Sequence, residues 1–65
     1  MFESDFQNEY LVEFDLINGD GYNWSWNGTE DIAEIIGQVK QELEINGGGH
    51  ADIFFNDKFI EDVEV

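Results

Sequence analysis

The chain has 65 residues, no Cys and no Pro, and a formal net charge of −14, from 16 Asp and Glu against Lys40 and Lys58. One domain fills that length, and the missing Cys excludes disulfides, thiolate metal sites and Cys nucleophiles. Apolar residues at 42% and aromatics at 15% supply a core, which argues against disorder in spite of the charge.

The acidic start, Met1-Phe2-Glu3-Ser4-Asp5, lacks the basic and apolar regions of a signal peptide. No apolar run approaches the ~20 residues of a membrane span, so a cytoplasmic location is expected. The sequons at Asn23-Trp24-Ser25 and Asn27-Gly28-Thr29 would matter only in a secreted protein.

In chain order, residues 1–8 read as a loose arm with Phe2 and Phe6 as its anchors. Tyr10 to Ile17 reads as a strand, with Tyr10, Val12, Phe14 and Leu16 on one face and Leu11, Glu13, Asp15 and Ile17 on the other. Asn18-Gly19-Asp20-Gly21 is a turn signal, and Tyr22 to Trp26 follows as an alternating second strand, the other arm of a hairpin. Gly28-Thr29 opens a helix expected over Thr29 to Ile45. Thr29 is its N-cap, and Glu30 and Asp31 favour the positive end of its dipole. Ile32, Ile35, Ile36, Val39 and Leu43 form its apolar stripe. Asn46-Gly47-Gly48-Gly49 ends it.

Ala51 to Phe55 reads as a third strand, Asn56-Asp57 as a two-residue turn and Lys58 to Val65 as a fourth strand. Phe59, Val63 and Val65 share a face with Glu61, which predicts either an open edge there or a bulge. The expected fold is α+β: one small antiparallel sheet with one helix packed on one face, in the order ββαββ.

Several motifs fail on their chemistry. With Gly21 at the glycine position of a calcium-binding loop, Leu16 and Asn27 stand where Asp and Glu are needed. Gly47-Gly48-Gly49 follows a helix rather than preceding one and has no adjacent basic residue, so it is a connection and not a phosphate cradle. His50 is the one histidine, and it reads as a surface residue. Tyr22, Trp24 and Trp26 lack the basic surround of a base-stacking platform and read as core packing. Among so many acids some carboxylate pairs fall close by chance, so none defines a catalytic pair. The chain is expected to be no enzyme and to need no cofactor or metal.

The charge carries the functional argument. Duplex DNA has one charge per ~1.7 Å of axis, so fourteen charges occupy roughly 24 Å, close to the ~28 Å diameter expected of a compact domain this long. Solubility asks only for a net charge of magnitude about 2–8. Adaptation to high salt is the other plain explanation, and the many Asn, Ile and Phe residues weigh against it. A body this acidic repels nucleic acid and anionic membrane and is drawn to basic proteins. Strand alternation turns Glu13, Asp15, Asp52, Asp62 and Glu64 outward, with Asp20 at the turn beside them. These are the expected partner-binding residues. The helix residues Glu30, Glu34 and Glu44 are the second choice.

In size, charge, lack of Cys and acidic strand–turn–aromatic-strand order, the chain resembles small phage-encoded inhibitors that imitate nucleic acid. Anti-CRISPR proteins and inhibitors of uracil-DNA glycosylase are of this kind. Asp5-Phe6, Tyr10 to Leu16, Asp20-Gly21 and Tyr22 to Trp26 carry the similarity, at the level of class. It implies a phage or mobile-element protein, in the bacterial host cytoplasm, that blocks the nucleic-acid groove of a bacterial enzyme, foremost a CRISPR effector or else a repair enzyme; a monomer or homodimer is expected. An antitoxin, or an acidic adaptor docking through Tyr22 to Trp26, is the alternative.

Overall fold

A computed structural model describes residues 8–65. The two hairpins foreseen from the alternation are present, as β1 (Glu9–Leu16) with β2 (Gly21–Asn27) and β3 (Gly49–Phe55) with β4 (Lys58–Glu64). The strands form one four-stranded antiparallel sheet in the order β2-β1-β3-β4. β2 and β3 are each antiparallel to β1 and so run parallel to each other. The helix α1 (Ile32–Ile45) makes the crossover between them. The result is the expected α+β fold in the order ββαββ.

Period-two alternation sorts the sheet into a wet face and a packed one. Val12, Phe14 and Leu16 of β1, Ala51 and Ile53 of β3 and Val63 of β4 are buried beneath Ile35, Val39 and Leu43 of the helix. Ile32 and Ile36, also in the expected stripe, are only half-buried. The helix lies mainly over β3 and β4. Large aromatic rings therefore fill the β2 side of the packed face. Phe14 meets Trp24 edge-on at 4.8 Å and Tyr22 at 5.1 Å, and Trp24 meets Trp26 at 5.6 Å. No described residue buries a polar or charged side chain.

The helix begins later than predicted. Asn27 Oδ1 accepts hydrogen bonds from the Thr29 amide and hydroxyl, each at 3.0 Å, and locks residues 27–30 into a turn. Asp31 is then the N-cap, its Oδ1 accepting from the Ala33 amide at 3.0 Å. Thr29 and Glu30 stand outside the helix. At the far end the Gly48 amide donates to the Leu43 carbonyl at 2.8 Å and closes the last turn.

The other boundaries also moved. β1 starts at Glu9 and ends at Leu16, leaving Ile17 75% exposed in the turn. Asn8, assigned to a loose arm, is tied down: its carbonyl accepts from the Gly28 amide at 2.9 Å and its Oδ1 from Asn56 Nδ2 at 3.1 Å. The rest of that arm, with Phe2 and Phe6, lies outside the described residues. Asn56 and Asp57 take φ of 52° and 70°, the mirror-image turn that suits the twist of a two-residue hairpin. The conflict at Glu61 is resolved by a bulge and an edge together. The register shifts at Ile53/Phe54, which places Phe59 opposite Phe54, while Glu61 stays opposite Ile53 on the exposed rim of the edge strand.

Candidate functional site

Sheet order and register decide which outward residues become neighbours. Glu13 pairs with Asp52, and Asp52 pairs with Asp62 across the next strand. Asp15 pairs with His50, and His50 with Glu64. Facing Cβ atoms in such rows are about 4.5–5.5 Å apart. The two rows follow each other along the strands at about 6.6–6.8 Å. The expected partner-binding residues Glu13, Asp15, Asp52, Asp62 and Glu64 thus converge on one face, opposite the helix. The position left over in this lattice is filled by His50, read from the sequence as a plain surface residue. A shallow concavity there is walled by Glu13, Asp15, Asn23, His50 and Asp52.

Local chemistry holds these positions. At the start of β3 a Cβ on Gly49 would lie 2.6 Å from the Asp15 carbonyl and 2.8 Å from Leu16 Cα, and the residue has φ of 145°. Any side chain there would push β3 off β1 and separate the acidic rows. The Gly49 and Val65 amides and carbonyls exchange hydrogen bonds at 3.0–3.1 Å, which holds the end of β4 beside Glu64.

Asp20 does not join the lattice. It sits in the turn, its amide donating to Asn18 Oδ1 at 2.9 Å, and its charge is felt at the Tyr22 hydroxyl instead. Tyr22 belongs to the packed face, where its hydroxyl donates to Glu42 Oε2 of the helix. Asn46 Nδ2 reaches the Tyr22 hydroxyl at 3.5 Å and the Glu42 carbonyl at 2.8 Å. The hydrogen bond to Glu42, then burial, then the Glu42 charge push the Tyr22 phenol up to about 12. This link between β2 and the helix was not visible in the sequence, where Tyr22 and Glu42 are far apart.

The second-choice residues do not make a comparable surface. Glu30 is in the loop before the helix, and Glu34 and Glu44, ten residues apart, are separated by about 15 Å along the axis. Lys40 lies one turn from Glu44, so that face carries both signs. Lys58, the other cation, pairs with Phe55 at the opposite end of the sheet from Asp15. The outward face is therefore acidic without an interspersed lysine.

Carboxylates accept hydrogen bonds and donate none, so the natural complements of this array are guanidinium and ammonium groups. Among the described residues no three His, Asp or Glu side chains converge as metal ligands would. No helix among them is long and apolar enough to cross a membrane. Tyr22, Trp24 and Trp26 are half-buried in the aromatic layer, which makes them packing residues before anything else. Comparison of the chain with protein-family models, with curated proteins and with solved structures finds no match.

Proposed function

We propose that this protein is a non-catalytic acidic inhibitor that imitates nucleic acid. On this reading it covers the DNA- or RNA-binding surface of a bacterial defence or repair enzyme, foremost a CRISPR effector. The observation that carries the reading is the row Glu13–Asp52–Asp62, three facing carboxylates across the middle and edge of the sheet. Like charges placed directly opposite destabilise a sheet. A fold that keeps them, with its two lysines placed elsewhere, breaks a local rule for no gain in stability, which is the mark of a binding surface. A basic groove shaped for phosphates offers the arginines and lysines that would relieve that repulsion, and opposite fields speed the encounter.

The test is capture from a bacterial lysate on immobilised protein, followed by competition of the retained protein with its own nucleic acid. Combined Glu13→Gln, Asp15→Asn, Asp52→Asn, Asp62→Asn and Glu64→Gln changes should abolish capture and leave the circular dichroism unchanged. Combined Glu30→Gln, Glu34→Gln and Glu44→Gln changes should capture as the parent does. Association should slow as salt rises. If the captured protein binds its nucleic acid undisturbed, mimicry is wrong. If the helix set abolishes capture instead, the face is wrong.

A further inference from the structure

Beside the carboxylate rows the same outward face carries an apolar row. Leu11 pairs with Phe54, and the bulge brings Phe59 opposite Phe54, the two rings meeting edge-on at 5.8 Å. Phe59 is 55% exposed. Scattered exposed apolar residues need no explanation, but these are contiguous, and the bulge turns Phe59 out of the packed face to extend them. Leu11 is two residues from Glu13 and Phe54 two from Asp52, so the apolar row borders the first acidic row at one strand repeat, about 6.6–6.8 Å.

Resting on the binding role proposed above, we infer that this apolar row is the anchor of the interface. Its occupant is a basic polypeptide segment with an apolar side chain, followed at every second residue by Arg or Lys. The spacing follows from the geometry: alternate side chains of an extended segment repeat at the same distance as the rows on this face. The apolar side chain would sit on Leu11, Phe54 and Phe59. The first cation would sit over Glu13–Asp52–Asp62 and the second over the row Asp15–His50–Glu64, where His50 stands between the two carboxylates. Charge selects this occupant over others. A second copy of the chain would set its acidic rows against these, and a nucleic acid or anionic lipid would be repelled likewise. The division of labour is physical. Exposed ion pairs contribute little each and are screened, whereas a desolvated apolar anchor holds the complex once formed.

The experiment is an NMR titration of the labelled protein with two synthetic peptides, acetyl-Trp-Ser-Arg-Ser-Arg-amide and acetyl-Ser-Ser-Arg-Ser-Arg-amide, at 0.15 M and 0.5 M salt. The tryptophan peptide should bind about tenfold more tightly, with shifts concentrated at Leu11, Phe54 and Phe59. That ratio should persist at the higher salt while both affinities fall. Phe59→Asn and Leu11→Thr, each on the exposed face, should each reduce the ratio several-fold. Equal affinity of the two peptides overturns the inference, as does a ratio untouched by both substitutions or shifts centred on Trp24 and the helix. Glu13→Gln with Asp52→Asn and Asp62→Asn separates the two ideas. It should weaken both peptides equally. If it weakens neither, the charge-driven role fails. If it weakens both while the peptide ratio is one, the apolar anchor alone fails.

Discussion

Asp52→Asn is expected to stabilise the fold, and by more than any other single neutralisation on the acidic face. Asp52 faces Glu13 on one side and Asp62 on the other, whereas Glu13 has Asn23 as its second neighbour and Asp62 lies on the edge strand. Two unit charges about 5 Å apart in water repel by roughly 0.8 kcal/mol, within the ~0.2–1 kcal/mol assigned to a facing cross-strand pair. Removing the central charge relieves two such pairs, at most about 1.6 kcal/mol, and removing Asp62 relieves one. In a domain of this size each kcal/mol moves Tm by about 4–8 °C. Asp52→Asn should therefore raise Tm by about 5–10 °C and Asp62→Asn by about half as much. Melting followed by circular dichroism in dilute buffer measures this directly. In 1 M salt the Debye length falls to about 3 Å and the gains should largely vanish. Glu34→Gln, on the helix and outside the array, is the control. The reasoning is refuted if Asp52→Asn lowers Tm, if it gains no more than Glu34→Gln, or if the gain is unchanged in 1 M salt.

Two further predictions concern the packed face. Ile35 is fully buried and Ile36 only half-buried. Ile35→Ala should cost about 2–5 kcal/mol, a large share of the ~3–10 kcal/mol expected for a domain this short. Ile35→Asp should remove the cooperative melt altogether, whereas Ile36→Asp should only lower its midpoint. For Tyr22 the phenol is held at about 12 in the fold against 10 in the unfolded chain, so the folded state keeps the proton longer. Its contribution is complete below pH 10 and is lost as pH rises from 10 towards 12. The hydroxyl is partly open to water, so about 1 kcal/mol is at stake rather than the full conversion of the gap. Urea melts across that range should show the loss, and Tyr22→Phe should flatten it.

The elements were legible because their signals are local. Alternation in Tyr10–Leu16 and Tyr22–Trp26, the helical stripe from Ile32 to Leu43 and the turns at Asn18–Gly21 and Asn56–Asp57 each depend on a few consecutive residues. The helix start was misjudged because two cap residues compete. Thr29 and Asp31 both qualify, and the Asn27 side chain, by taking Thr29 into a turn, leaves Asp31 to cap. Asp20 stands at the turn as expected, and its place two residues before Tyr22 puts its charge near the Tyr22 hydroxyl rather than in the acidic rows.

Which face each carboxylate occupies was settled by the sequence, since the pleat turns Glu13, Asp15, Asp52, Asp62 and Glu64 away from the apolar residues that must be buried. Which of them are neighbours was settled only by the tertiary structure. The order β2-β1-β3-β4 brings β1 and β3, far apart in the chain, side by side, and their register sets Glu13 against Asp52 and Asp15 against His50. The bulge then turns Phe59 outward to meet Phe54. No local pattern encodes these pairings. They follow from the helix covering β3 and β4 while the aromatics of β2 fill the remaining side, a packing solution that the whole core reaches at once.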